Sequence, residues 1–360
     1  MTRIGINGFG RIGRNTLRAL LAREAQRPDG AAADRFDDEA AQRPVGAAAD
    51  RLEVVAINDL TAPETLAHLF RYDSALGPFD GTVEVDGDAL VIDGQRVRVL
   101  AEREPSALPW GELGVDVVLE ATGRFTSREA AAQHLDAGAR RVLISAPATG
   151  ADVTLAYGVN TDAFDPERHT VVSNASCTTN ALAPLAAVLD DLAGIEHGFM
   201  TTVHAYTQEQ NLQDGPHRDL RRARAAAVNI APTTTGAAKA IGLVLPRLDG
   251  KLSGDAIRVP VPVGSIVELN TVVSRDVTVD EVNAAYRAAA EGALAGVLAF
   301  TSDPIVSTDV QQNPASSVFD SLLTRVDGGR NVKVVAWYDN EWGFSNRVVD
   351  TLGLLGRAAA

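Results

Sequence analysis

Apolar residues follow two patterns along this chain. In the first half, short continuous runs alternate with stretches where apolar residues recur every three or four positions. Ile4 and Ile6, Leu52-Glu53-Val54-Val55-Ala56-Ile57, Val115-Asp116-Val117-Val118-Leu119-Glu120, Val142-Leu143-Ile144-Ser145 and Val171-Val172-Ser173 read as strands. Between them Leu17, Leu20 and Leu21 share a helical face, and Thr126-Ser127-Arg128-Glu129 opens a helix with a capping-box pattern. Leu182, Leu185, Val188, Leu189 and Leu192 predict another helix, in which Pro184 implies either a kink or a later start. Continuous apolar strands alternating with helices predict a mostly parallel, doubly wound sheet.

The second half has more strands and fewer helices. Strands are expected over 199–205, 256–261, 266–273 and 332–338, and the clearest helix over 280–291, opened by Thr278-Val279-Asp280-Glu281. This predicts an α+β domain with a mainly antiparallel sheet. Val348, Val349, Leu352 and Leu355 make a last amphipathic helix. At 360 residues the chain exceeds the usual single-domain size. The expected class is α/β: a Rossmann-type doubly wound parallel sheet plus a second α+β catalytic domain.

The first strand runs into Gly8-Phe9-Gly10-Arg11-Ile12-Gly13, and a helix follows. Gly-x-Gly-x-x-Gly alone is weak evidence, but strand before and helix after make it a dinucleotide fingerprint, with a pyrophosphate at the helix N-terminus. The fingerprint calls for an acid about 20 residues on. The next strand-terminal acid, Asp59, lies 46 residues beyond Gly13. The surplus is a tandem duplication, in which 25–36 recurs as 41–52 in sequence rich in Ala, Asp, Arg, Pro and Gly. We read 24–51 as a low-complexity surface excursion. Asp59 either caps a turn or binds the adenosine ribose; ribose binding disfavours NADP and favours NAD.

Charge narrows the partners. Acidic residues number 47 against 33 basic ones, a net −14, and only three of the basic residues are lysines. Such a surface repels nucleic acid and anionic lipid. It fits either a salt-rich cytoplasm or a GC-rich genome. No apolar run approaches the roughly 18 residues of a spanning helix, and no signal-peptide core follows the N-terminus, so a soluble intracellular protein is expected. The single cysteine cannot form an internal disulfide.

That cysteine lies in Ser173-Asn174-Ala175-Ser176-Cys177-Thr178-Thr179-Asn180, where a strand is expected to end and a helix to begin. Unpaired N–H groups and the helix dipole there favour a thiolate. A lone cysteine is often an inert core residue, but three hydroxyls and two amides around this one make a polar, anion-friendly pocket. Met200-Thr201-Thr202-Val203-His204-Ala205-Tyr206-Thr207 carries a histidine that serves as general base if the fold brings it to Cys177, and is otherwise structural.

These two segments, with Pro232-Thr233-Thr234-Thr235-Gly236-Ala237-Ala238-Lys239 and Trp337-Tyr338-Asp339-Asn340-Glu341-Trp342-Gly343, resemble the phosphorylating glyceraldehyde-3-phosphate dehydrogenase family from Arg3 to about Asp350. The resemblance implies an NAD-binding domain over 1–176 and 340–360 and a catalytic domain over 177–339. It implies Cys177 as nucleophile and His204 as base. Thr207 and Arg258 would hold the substrate phosphate, Ser176, Thr178, Thr235 and Gly236 inorganic phosphate, and Arg222 would add charge. Arg258 has an equal alternative as an edge-strand arginine. Gly8, Gly10, Arg11, Ile12, Gly13, Asp59, Arg103, Thr122, Ser145 and Asn340 would line the cofactor site, and no metal is implied. The expected reaction is oxidation of D-glyceraldehyde 3-phosphate to 1,3-bisphosphoglycerate through a Cys177 thiohemiacetal and thioester.

A cytoplasmic protein is expected, and the family also implies a homotetramer in which 217–224 reaches a neighbouring subunit's cofactor site. A basic nucleic-acid patch over 218–224 is the rival reading of that segment, disfavoured by the net charge. Ala181 and Phe344 depart from residues common in the family, cysteine and tyrosine. An alternative activity is erythrose-4-phosphate dehydrogenase, which hydrolyses its acyl-enzyme; the intact segment 234–239 argues against it. A non-catalytic nucleotide-binding regulator would show decay at Cys177, His204 or Arg258, and none is seen.

Overall fold

A computed structural model describes residues 1–26 and 51–359. Most of the duplicated insertion, 27–50, lies outside the described residues.

The first sheet is built from β1 (Thr2–Asn7), β2 (Leu52–Asn58), β3 (Val83–Asp86), β4 (Ala89–Ile92), β5 (Gln95–Leu100), β6 (Val117–Glu120), β7 (Arg141–Ile144), β8 (Val153–Thr154) and β9 (Val171–Ser173). Its order is β3-β4-β5-β2-β1-β6-β7-β9-β8. Every pairing from β5 to β8 is parallel, and only the β3–β4 and β4–β5 pairings are antiparallel. The direction of winding reverses at β1, which pairs with β2 on one side and β6 on the other. A crevice therefore opens at the carboxyl ends of β1 and β6, the place where such sheets bind ligands. Helices α1 (Arg11–Ala25), α2 (Pro63–Arg71) and α3 (Arg128–Asp136) belong to this unit.

The second sheet contains β10 (Ile195–Ala205), β11 (Ala231–Thr234), β12 (Leu252–Val259), β13 (Ser265–Val273), β14 (Leu298–Thr301), β15 (Ser317–Asp320), β16 (Arg325–Asp327) and β17 (Asn331–Tyr338). It is mainly antiparallel, but β10–β12 and β14–β15 are parallel. Helices α4 (Cys177–Ala193), α5 (Ala237–Val244) and α6 (Val279–Glu291) accompany it. The last helix, α7 (Trp342–Ala359), returns to the first unit, where Phe344, Val348, Val349, Leu352 and Leu355 join the core that contains Ile4 and Ile6.

One expectation about a helix start needs correction, and one open alternative is settled. Helix α3 is capped by Ser127, whose Oγ accepts from Ala130 N at 3.1 Å, one residue later than the Thr126 pattern suggested. Helix α4 begins at Cys177 and runs through Pro184, so the proline does not delay its start. A proline there removes only the bond to the Asn180 carbonyl. Burial on nearly every side holds α4 together across that gap. Residues as different as Thr179, Leu182, Ala183, Leu185 and Ala186 are all fully enclosed. The capping box at Thr278 is present in full, with Glu281 N donating to Thr278 Oγ1 and Thr278 N to the Glu281 carboxylate.

Candidate active site

Cys177 is the first residue of α4 and packs against both large hydrophobic cores. The turn that delivers it is strained, because Ala175 adopts φ +55, a conformation an L-residue enters at a cost. Several bonds hold it there. Ser176 Oγ caps the helix by accepting from Thr179 N at 3.0 Å. Asn180 Nδ2 donates back to Asn174 O at 2.8 Å, and Thr351 Oγ1 of α7 donates to Asn174 Oδ1 at 2.8 Å.

His204 stands near the end of β10, and its Nε2 lies 3.4 Å from Cys177 Sγ. Parallel pairing of β10 with β12 sets His204 opposite Arg258. Arg258 Nη1 is 2.8 Å from His204 Nδ1 and donates to Ala205 O at 2.9 Å. The Tyr338 ring meets the imidazole edge-on, with centroids 5.9 Å apart.

The electrostatics differ from the expectation of a ready-made thiolate. Cys177 keeps some exposed surface, yet burial pushes its thiol up, against the opposing pull of Arg258, the Thr178 hydroxyl and the N–H groups at the helix start. Burial, reinforced by Arg258, pushes His204 down to about 3. Packing from two cores outweighs the helix terminus. In the free protein the pair rests as thiol and neutral imidazole.

Anion-binding groups gather around this pair. Thr207 Oγ1 and Arg258 Nε are buried polar atoms with no partner among the described residues, a costly state unless a ligand completes them. Arg222 Nη1 and Arg258 Nη2 both approach Glu209 Oε2, at 3.1 and 3.7 Å. Arg222 also donates to Thr233 Oγ1 at 3.0 Å. Thr235 Oγ1 accepts from Ala237 N at 3.2 Å, and Gly236 caps α5, which packs against α4. The basic segment is partly neutralised internally, since Arg222 faces Glu209 and Asp219, and Arg224 faces Asp214.

At the crevice the three glycines do different work. Gly8 has φ +94, and a Cβ there would sit 2.7 Å from Thr122 N. A Cβ on Gly13 would lie 2.2 Å from Gly8 O, so this glycine permits close helix–strand packing. A Cβ on Gly10 would meet nothing within 4 Å, which leaves open space beside the backbone where a pyrophosphate would approach. The first turn of α1, at Arg11 and Ile12, has neither a capping side chain nor an acid. The residues fit a dinucleotide.

Asp59 accepts from Phe9 N at 2.9 Å and Thr61 N at 3.0 Å, tying the second strand to the glycine loop. Arg11 directs its guanidinium to Asp73 and Glu341, so its backbone N–H is the group left for a ligand. Asn340 Oδ1 accepts from Gly264 N and Ser265 Oγ, and its NH2 makes no bond to a described residue. Ser145 Oγ donates to Glu120 O, and Arg103 is exposed.

Sequence reasoning missed what lies beneath. The buried carboxylate of Glu120 accepts from Asn7 Nδ2 at 2.6 Å, His134 Nε2 at 3.1 Å, Thr122 N at 2.8 Å and the Thr122 hydroxyl. Trp110 Nε1 donates to His134 Nδ1 at 3.0 Å, which fixes the histidine tautomer. The only signal was an acid ending an apolar strand. Tyr338 was also passed over, although it lies in a quoted motif.

Residues 176–340 match the C-terminal domain model of glyceraldehyde 3-phosphate dehydrogenase, and 40–128 match its NAD-binding domain model. A glyceraldehyde-3-phosphate dehydrogenase of Kitasatospora aureofaciens is 72% identical over 99% of both chains. The chain belongs to the glyceraldehyde-3-phosphate dehydrogenase family. Relatives of the same name from Mycobacterium tuberculosis and, numbered 1, from Streptomyces avermitilis are each 56% identical, over 99% and 98% of both chains. Like them the chain is a glyceraldehyde-3-phosphate dehydrogenase by function, an NAD-dependent oxidoreductase. Among the described residues, no group of three metal-ligating side chains occurs and no helix is long and apolar enough to cross a membrane.

Proposed function

We propose that this chain converts D-glyceraldehyde 3-phosphate, NAD and inorganic phosphate to 1,3-bisphosphoglycerate reversibly, with Cys177 as nucleophile and His204 as base. The observation that carries the reading is the 3.4 Å contact between Cys177 Sγ and His204 Nε2. Beside it the orphaned Thr207 Oγ1 and Arg258 Nε await an anion.

Because both groups rest neutral, the sulfur becomes nucleophilic as its proton passes to His204 Nε2 during attack on the aldehyde. Backbone N–H groups at the start of α4 stabilise the oxyanion. Thr207 and Arg258 fix the substrate phosphate, and with it the aldehyde carbon. NAD, when bound, accepts the hydride from that carbon. The glycine loop, Arg11 and Ile12 N–H groups, Asp59, Thr122, Ser145 and Asn340 hold the cofactor, with Arg103 at the rim. His204 returns its proton to the oxyanion to give the thiohemiacetal hydroxyl, and takes it back as the hydride leaves, which leaves a thioester. Ser176, Thr178, Thr235, Gly236 and Arg222 receive the phosphate that cleaves it.

The division into domains at 1–176 with 340–360 and at 177–339 belongs to the same proposal. So does a homotetramer, supported by Phe199, Leu212, Leu220, Val228 and Ile230, which are 44–80% exposed in a single protomer. We assign the protein to the cytoplasm on its single cysteine. The net −14 supports tolerance of high salt.

The test is reduction of NAD by purified protein with glyceraldehyde 3-phosphate, with and without phosphate. Turnover that needs phosphate and disappears in Cys177→Ser is expected. Sustained turnover without phosphate would assign the hydrolytic erythrose-4-phosphate type instead.

A further inference from the structure

Three buried hydroxyls run in a line from the active site into the second sheet. Thr202 Oγ1 donates to Ile266 O at 3.0 Å. Tyr338 Oη lies 2.8 Å from Thr202 Oγ1 and 3.0 Å from Thr178 Oγ1. All three side chains are enclosed, so protein groups alone set the direction of these bonds.

That direction follows by elimination. A carbonyl can only accept, so the Thr202 hydrogen is committed to Ile266 and the Thr202 oxygen accepts from Tyr338. The phenol, having donated its one hydrogen, accepts from Thr178. Thr178 is left with lone pairs for whatever binds on its other side. The Cys177 sulfur also attracts the Thr178 hydrogen while it carries negative charge. Acylation removes that charge, and the phenol oxygen is then the better acceptor.

We propose that Tyr338 is a positioning residue for phosphorolysis: by taking the hydrogen of Thr178 it makes Thr178 an acceptor, which selects a phosphate species bearing an O–H. This rests on the reading that Thr178 lines the inorganic-phosphate site. Hydrogenphosphate dianion donates its O–H to Thr178 Oγ1 and presents an unprotonated oxygen to the thioester. That oxygen bonds to the acyl carbon and the C–S bond breaks. The electron pair leaves with Cys177 as thiolate, while the proton stays on the phosphoryl group. The two negative charges end up one on the acyl phosphate and one on the sulfur. A dianion of similar size without an O–H meets lone pair against lone pair and is rejected.

The experiment uses the whole enzyme with phosphate as the varied substrate, and with fluorophosphate and sulfate as competing dianions that lack an O–H at neutral pH. In the native protein both inhibition constants are expected well above the phosphate KM. Tyr338→Phe frees Thr178 to donate. The phosphate KM should then rise, and both inhibition constants fall, by roughly five- to tenfold, the scale of one hydrogen bond. A burst of NADH formation should still precede phosphorolysis, which reports an intact fold and an acylation step that still runs. Thr202→Val provides the second variant: it leaves the phenol to donate toward Thr178 and should produce the same reversal. Unchanged ratios of inhibition constant to phosphate KM in both variants would overturn the assignment while leaving the enzyme's function standing. Native turnover that ignores phosphate would remove the functional reading and this inference with it.

Discussion

Arg258 Nη1 lies 2.8 Å from His204 Nδ1, through the ring nitrogen that does not face Cys177. One guanidinium thus acts on both members of the pair. It favours the thiolate and disfavours the imidazolium. Arg258→Ala should therefore move the pH midpoint of Cys177 alkylation by iodoacetamide upward. Loss of the phosphate contact should lower kcat/KM for glyceraldehyde 3-phosphate about 10- to 100-fold. An unshifted alkylation profile would show that Arg258 acts on the substrate alone.

The depressed His204 makes the protein acid-sensitive. Its folded value of about 3 lies below the unfolded 6.5, so the unfolded chain binds the extra proton throughout that interval. Stability contributed by the neutral imidazole is complete above pH 6.5, and is lost progressively as pH falls toward 3. Between pH 7 and 5 the loss from this residue alone is about 2 kcal/mol. Denaturant unfolding of His204→Asn at the two pH values should show a correspondingly shallower acid dependence. The same variant should slow NADH formation by about 10²- to 10⁴-fold.

The parallel character of the first sheet, the glycine loop and Cys177 were legible because their signals are local. Strand β1, the glycine loop and α1 are contiguous, and Cys177 sits in one polar octapeptide. Continuous apolar runs marked β2, β6, β7 and β9 for the same reason. The short strands β3 to β5 went unread, because each spans only four to six residues: β3 buries Val83 alone, β4 exposes no residue, and only β5 alternates. The direction of the Cys177 titration was misread, since burial by two cores depends on residues as distant as Tyr338. The Glu120 network joins positions up to 127 residues apart, and no periodicity encodes it. The guanidinium partners of Arg11, Asp73 and Glu341, were unreadable because they lie far from it in sequence.

Gly10 and Gly13 separate binding from folding. Gly10 has φ −71 and ψ −160, open to any residue, and its missing Cβ faces empty space. Gly10→Ala should unfold at the native denaturant midpoint, yet bind NAD about tenfold or more weakly by titration, since the methyl takes the place of the pyrophosphate. Gly13→Ala drives a methyl to 2.2 Å from Gly8 O. It should cost roughly 1–3 kcal/mol of stability, as overpacking does. Equal loss of stability in both variants would contradict this division.

Glu120 offers the sharpest contrast between removing a donor and removing an acceptor. Its two oxygens receive two hydrogens each: Asn7 and His134 at one, the Thr122 amide and hydroxyl at the other. His134→Phe deletes one donor and leaves three, at a cost of roughly 2–3 kcal/mol. Glu120→Gln keeps the shape but turns its NH2 toward one of the donor pairs; even on the Thr122 side, where the hydroxyl can rotate to accept, the amide bond becomes a repulsion, and the charge that strengthens the other bonds is lost. The isosteric change should therefore destabilise at least as much as the larger one, although it removes no atoms from the core. Asn7 and Thr122 border the cofactor crevice and are held by this carboxylate, so both variants should raise the KM for NAD more than they lower kcat. A Glu120→Gln enzyme with native stability and native KM for NAD would mean that the carboxylate is not the anchor of that wall.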